Sequence, residues 1–413
     1  MDRSQVARVV LGLAFAVGLA VLGALPAVRR WEQRLGLNVL TAAGFPMLLL
    51  GYGFHLLGIL SARTLADLRP IYEFGLGWVG MVVGMQMNMR KLDELPKWFM
   101  TTVTLVTLPP TILAALGCGL TLAAMGVLPG TGLIRDTIVL AACAAVSAPA
   151  NLTLLLRNAP AGSADVLRGM TRMDHIAAFA LLALTASLFR PALAVGLWRL
   201  PRSGWFLVTL GVGFLLGVVM YLLIRRVESR TEELSLILGS IALAAGLAGY
   251  LALSVPVVCA LAGTVLANVP YRDRERLEAM LGDVERTIYL LILFLVGTAW
   301  RPLEWQGWAL GAVFALARGY GKLVGARAAV RIAPGALPDS RTLALSLLPE
   351  SAIAILVVFT LATAQGEAPA AVRWGVNAVI VGSILTEIFV QMRQRRESRI
   401  AGEENSPVVS HFV

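Results

Sequence analysis

Five ionisable side chains lie deep inside apolar stretches of this 413-residue sequence: Asp174, His175, Arg318, Lys322 and Glu350. Such groups are costly in hydrocarbon and ordinarily mark an ion path, a proton relay or a substrate site. A carboxylate there can hold a proton or a cation. A neutral imidazole can relay a proton or ligate a transition metal, and an Arg or Lys can neutralise an acid. Arg318 and Lys322 are one helical turn apart on one face. Ser147 and Asn151 add neutral oxygens on either side of Pro149. The candidate ion- and proton-binding residues are therefore Asp174, His175, Ser147, Asn151 and Glu350, with Arg318 and Lys322 as charge-compensating partners.

The elements that must position them are membrane spans. Hydrophobic residues make up 58% of the chain and charged ones only 15%, with a mean hydropathy of +0.77. These values exclude a soluble globular domain. Apolar stretches long enough to cross a bilayer predict about thirteen helices. They lie near 6–28, 37–60, 70–88, 98–126, 133–156, 164–189, 203–224, 232–250, 254–269, 283–300, 305–330, 341–364 and 372–392. The uncharged run from Leu234 to Tyr271 divides near Ser254 to Pro256, whereas Trp98 to Ile134 is one helix kinked at Pro109 and Pro110. Asp174 and Glu350 each fall nine residues from the cytoplasmic start of their spans, roughly 13.5 Å at the helical rise and close to the bilayer middle. Arg318, entering from the other side, reaches a similar level at roughly 18 Å. Both acids and the arginine thus converge in depth.

Orientation follows from the loops. One set carries 22 Arg and Lys and the other 10, so the C-terminus faces the cytoplasm of a cell inner membrane and the N-terminus lies outside. The +10 net charge is explained by this asymmetry rather than by nucleic acid. The stretch Val9 to Val28 reads as a retained first helix rather than a signal peptide. Cys118, Cys143 and Cys259 show no metal or disulfide spacing and read as small core residues. No phosphate loop, nucleophile elbow or metal-ligand cluster supports an enzyme or a cofactor. His55 and Glu387 read as hydrogen-bonded structural groups, Glu73 as interfacial, and Arg286 as an interfacial partner of Asp283 and Glu285.

Proline interrupts two spans at the level of the acids: Ala145 to Leu152 around Pro149, and Leu347 to Ile353 around Pro349. The two spans run in opposite directions. Broken helices at matching places in two inverted halves, here spans four to six and eleven to thirteen, mark inverted-repeat transporters with a site at the breaks. The alternative is two ordinary proline kinks.

Several segments resemble the sodium/proton exchanger domain of the cation:proton antiporters. They are Arg-Leu-Gly-Leu-Asn-Val-Leu (34–40), the Gly-Tyr-Gly-Phe-His run (51–60), the Gly-Met-Gln-Met-Asn-Met-Arg-Lys-Leu run (84–92), Ser147-Ala148-Pro149, Met173-Asp174-His175, Leu293 to Gly297, and Arg318 to Arg327. The resemblance spans nearly the whole chain. It implies an all-α polytopic fold with inverted repeats and two broken, crossed helices, acting as a homodimer. A membrane domain over 1–394 would comprise a moving core (roughly 98–190 and 305–392) and a dimerisation scaffold (roughly 1–97 and 203–300), followed by a short cytoplasmic tail, 395–413. It further implies elevator-like exchange of protons for monovalent cations, Na⁺ or K⁺, with Asp174 as the cation ligand and Arg318 as the basic partner. Two departures stand out. His175 occupies the place of a second aspartate, and Glu350 stands where relatives often carry Arg. A carrier of a small organic solute, or a non-transporting sensor, are the alternatives on the same fold.

Overall fold

The computed structural model describes residues 3–25, 27–28, 44–60, 64, 67–90, 95–148, 160, 162–189, 201–227, 229–270, 274–363 and 369–404. Among the described residues every regular element is a helix. In chain order these are α1 (Arg3–Ala24), α2 (Phe45–Leu56), α3 (Arg69–Met85), α4 (Trp98–Ala124), α5 (Thr131–Ala145), α6 (Ser163–Leu188) and α7 (Arg202–Ile224). There follow α8 (Arg230–Tyr250), α9 (Val255–Asn268), α10 (Arg274–Ala299), α11 (Trp305–Ile332), α12 (Ser340–Ser346), α13 (Ala352–Thr363) and α14 (Ala370–Glu404).

Local sequence sets the boundaries. Proline opens α2, α3 and α9, where its missing N–H is harmless. The long uncharged run divides as its length requires, between Tyr250 and Val255. Pro109 and Pro110 lie inside α4, which continues as one helix through them. The twelfth expected span is two helices: α12 ends at Ser346 and α13 begins at Ala352, because Pro349 disfavours helical geometry at the residue before it. The fifth expected span also stops short among the described residues, with α5 ending at Ala145 and Val146 extended. Pro149 and Asn151 lie outside the described residues.

Glycines four apart bring backbones together, as membrane helices require where no hydrophobic force draws them. A Cβ on Gly321 would strike Pro109 and Pro110, and one on Gly325 would strike Leu105 and Val106, so α11 lies directly on α4. Gly80 and Gly84 press α3 onto Pro256 and Ala260 of α9, while Gly213 and Gly217 press α7 onto the same helix. The α4–α11 contact matters most for function, because it fixes the register at which Arg318 and Lys322 enter the interior. Packing beside it, a cluster built from Phe99, Val106, Met170, Ala326, Leu343 and Leu347 ties α4, α6, α11 and α12 together.

Candidate functional site

Asp174 of α6 is 1% exposed, and both carboxylate oxygens are engaged. Thr107 Oγ1 of α4 donates to Oδ1, and Ser147 Oγ of the α5 break donates to Oδ2 at 2.7 Å. Lys322 Nζ of α11 reaches the same Oδ2 at 3.0 Å and also donates to the Ala145 carbonyl at 3.2 Å. Lys322 is wholly buried, so this ion pair is screened by neither water nor salt. Thr107 Oγ1 also lies 2.8 Å from Val103 O. A hydroxyl has one proton to give. With Asp174 charged, Thr107 donates to it; with Asp174 protonated, Thr107 accepts from the acid and turns its own proton to Val103.

Arg318 meets the acids through charge and the backbone through direct hydrogen bonds. Its guanidinium takes no carboxylate in a direct hydrogen bond. It donates to Ala144 O, to Leu348 O at 3.2 Å and to Pro349 O at 3.2 Å. Ala144 lies in the last turn of α5, and Leu348 and Pro349 follow α12, so one buried cation serves carbonyls at the ends of both helices. It also opposes the negative end of each helix dipole. The breaks touch as well, the Ala148 N–H donating to Pro349 O at 2.8 Å. Arg318 thus binds the two breaks together and is in electrostatic reach of both Glu350 and Asp174.

Glu350 sits just before α13 and is 7% exposed. Its Oε2 accepts from Ser383 Oγ of α14, whereas Oε1 is buried without a hydrogen-bond partner. Ser383 shares the behaviour of Thr107, since its hydroxyl also lies 2.8 Å from Val379 O. The Tyr289 hydroxyl of α10 is likewise buried without a partner and lies in electrostatic reach of Glu350. His175 follows Asp174 on α6, and among the described residues neither ring nitrogen makes a hydrogen bond, although the ring lies near the Ser147 backbone.

Four of the sequence candidates, Asp174, Ser147, Lys322 and Arg318, therefore meet at the breaks; Glu350 stands beside them with Ser383, and Asn151 lies outside the described residues. Thr107, Ser383 and Tyr289 escaped the sequence reading. The remaining polar groups sit elsewhere. His55 Nδ1 lies 3.3 Å from Leu60 O, Glu73 pairs with Arg69 at 2.6 Å, and Glu387 accepts from Gln391. Arg286 Nε reaches across to Gly23 O at 3.0 Å.

The donors around Asp174 are all oxygens: its own carboxylate, the Thr107 and Ser147 hydroxyls and the Ala145 carbonyl. Such a set suits a hard cation, and a single carboxylate balances a single positive charge. The Lys322 ammonium now occupies that place. A cavity of about 140 Å³ opens where α6 faces the segment after α3, lined by Met173 and Ile176, and one of about 230 Å³ opens where α6 faces α3, α7 and α9, lined by Ile176.

The profile of the family "sodium/hydrogen exchanger, transmembrane" matches residues 4–392. No curated protein matches the chain by sequence. Among solved structures, the chain is similar to the sodium/proton antiporter MjNhaP1 of Methanocaldococcus jannaschii at pH 8, with a TM-score of 0.62 at 15% identity, over 96% of this chain and 98% of the other. An electron-microscopy structure of the same antiporter gives a TM-score of 0.57, also at 15% identity, over 96% and 97% of the two chains. At that identity the likeness concerns the fold.

Proposed function

This chain belongs to the sodium/hydrogen exchanger family, whose members are membrane transporters and not enzymes, and on that premise we propose that it exchanges protons for a monovalent cation at Asp174. The observation that carries this reading is the buried Asp174–Lys322 pair at 3.0 Å, set among oxygen donors at two touching helix breaks. The ammonium holds the position a cation would take. When a cation binds the carboxylate, Lys322 must withdraw or lose its proton, since two positive charges on one buried carboxylate would leave an uncompensated charge. Proton and cation therefore compete for one site, the minimum an antiporter needs.

Movement would carry that site across the membrane. In this reading a core of roughly 98–190 and 305–392 slides against a scaffold of roughly 1–97 and 203–300, in elevator fashion. The seam is where α6 faces α3 and α9, and its cavities support an approach to Asp174 from that side. A homodimer in an inner membrane, N-terminus outside and C-terminus in the cytoplasm, completes the proposal.

The test is reconstitution into liposomes with an imposed pH gradient, challenged in turn with sodium, potassium and lithium. At least one should collapse the gradient; if none does, the antiport reading fails. His175 supports a second reading. A histidine in the neighbouring position offers a hard ion less than a carboxylate would, which favours a proton-linked carrier of another solute or a sensor. Either would give the silent result in the same assay.

A further inference from the structure

A groove of about 770 Å³ runs along the outer side of α11, closed by α12 and α14. Its floor is made by small residues at helical spacing, Ala312, Ala315 and Gly319; a Cβ on Gly319 would meet only a Leu348 methyl, at 3.8 Å. Its rims are large and exposed: Leu316 is 73% exposed and Phe389 47%. The α11 stripe runs from Ala312 to Arg327, a length of roughly 22 Å at the helical rise, somewhat more than the roughly 15 Å of one leaflet's hydrocarbon.

One end has a different chemistry. Arg327 ends the α11 stripe, Arg393 ends the α14 stripe, and Arg341 comes from the first turn of α12. No Asp or Glu lines the groove, and none of the three arginines makes an ion pair to a described residue. The nearby carboxylate of Asp339 is spent on backbone amides and the Thr342 hydroxyl. Three guanidiniums lining one groove with no ion pair to a described residue suit a phosphate, because the planar fork of each matches phosphate oxygens. By the loop asymmetry this is the cytoplasmic end, where anionic headgroups meet juxtamembrane basic residues.

We propose that the groove binds one anionic phospholipid of the cytoplasmic leaflet, its phosphate held by Arg327, Arg341 and Arg393 and an acyl chain laid along α11. Leu348 lines the same groove and immediately precedes Pro349 and Glu350, so the lipid packs against the back of the α12–α13 break. An occupied groove holds α12 to α11 and α14 and steadies the break from the side opposite the ion site.

The test uses the full chain, purified and delipidated in a neutral detergent, with phosphatidylglycerol and phosphatidylcholine of matched chains as probes. Bound lipid is counted by native mass spectrometry, and the unfolding midpoint is followed during titration. Phosphatidylglycerol should bind saturably at about one per chain and raise the midpoint, and phosphatidylcholine should do neither. The variant carrying Arg327→Gln, Arg341→Gln and Arg393→Gln should bind on the order of 100-fold more weakly. Ala315→Phe, which fills the floor and keeps the arginines, should weaken binding as well. Should the triple variant unfold before lipid is added, Arg393→Gln alone carries the comparison. Equal binding of the two lipids, or unaltered phosphatidylglycerol binding in both the charge and floor variants, overturns the proposal. So does a dimer that dissociates with the same substitutions, which would put a second copy of the chain in the groove.

Discussion

Lys322 Nζ and Asp174 Oδ2 lie 3.0 Å apart although the two residues are 148 positions apart in the chain, and both side chains are buried. A pair this buried contributes little net stability, but breaking it by removing one partner costs about 3–5 kcal/mol because the other charge is stranded. Lys322→Ala should therefore lower the unfolding midpoint sharply in detergent. The double variant Lys322→Ala with Asp174→Asn should recover most of the loss, since it strands no charge. Equal midpoints for Lys322→Ala and wild type would mean the pair does not form.

Arg318 hydrogen-bonds carbonyls of both breaks directly, which predicts a structural phenotype. Arg318→Ala removes charge-assisted hydrogen bonds worth about 1.5–3 kcal/mol each and frees both breaks at once. Arg318→Lys should rescue only in part, because an ammonium cannot fork across carbonyls of two helices. Thermal unfolding and hydrogen exchange at residues 144–148 and 346–351 report this directly. Full rescue by lysine would return Arg318 to the role of a simple counter-charge.

Close approach of α11 to α4 gives a paired test. Gly321→Val sets a branched side chain against the Pro109 and Pro110 backbone, and overpacking of this kind cannot relax without moving a helix. It should reduce folded yield and displace Lys322 from Asp174. Gly319→Ala, two residues away, where a Cβ meets only a Leu348 methyl at ordinary contact distance, should leave the folded yield unchanged. Comparable yields for the two variants would argue against the α4–α11 contact.

Much of this architecture was legible in the sequence. Charges inside apolar runs are conspicuous, so Asp174, Glu350, Arg318 and Lys322 stood out, and Pro149 and Pro349 located the breaks because proline constrains the residue before it. What could not be read was the pairing. Whether Asp174 meets Arg318 or Lys322 depends on how α11 is registered on α4 and α6, and Gly321 and Gly325 set that register through contacts with residues over 200 positions away. Thr107 and Ser383 stayed hidden for a different reason. Hydroxyls in membrane helices commonly bond back to the carbonyl one turn earlier, as both do here, so nothing in their sequence setting reveals that they also reach an acid. Tyr289 lies on α10, outside the two triplets of spans that the proline pattern singles out, where no pattern pointed to a polar role.

Outside the membrane, Asp339 caps α12. Partial burial works against its ionisation, but hydrogen bonds from the Thr342 hydroxyl and the Thr342 and Arg341 amides outweigh this and hold its carboxyl below the ordinary value. A depressed folded pKa contributes stability that is present above the unfolded value of about 3.9 and disappears as pH falls through the folded one. Asp339→Ala should cost about 1 kcal/mol at neutral pH, and the gap to wild type should close on acidification below about pH 4. A gap independent of pH would remove the ionised cap from the account.

Among the described residues neither His175 nitrogen makes a hydrogen bond that satisfies distance and angle, so little in its described surroundings rewards a polar ring. His175→Phe should keep or slightly raise thermal stability, since an unsatisfied buried polar group costs about 1–3 kcal/mol. His175→Asp should strengthen sodium-dependent proton movement if the imidazole has altered the site. Lower stability in His175→Phe would show a hydrogen bond to the ring, and unchanged transport in both variants would exclude any part for it in exchange.

The central claim is that a proton and a cation compete at Asp174, and the most direct measurement is proton release by the purified protein on cation addition in weakly buffered detergent solution. Wild type should release up to about one proton per chain, because one carboxylate with its ammonium partner can give up only one. Asp174→Asn, folded to the same midpoint with Lys322→Ala beside it, should release none. Release of the same size from that variant would contradict the assignment and move the exchange to another group.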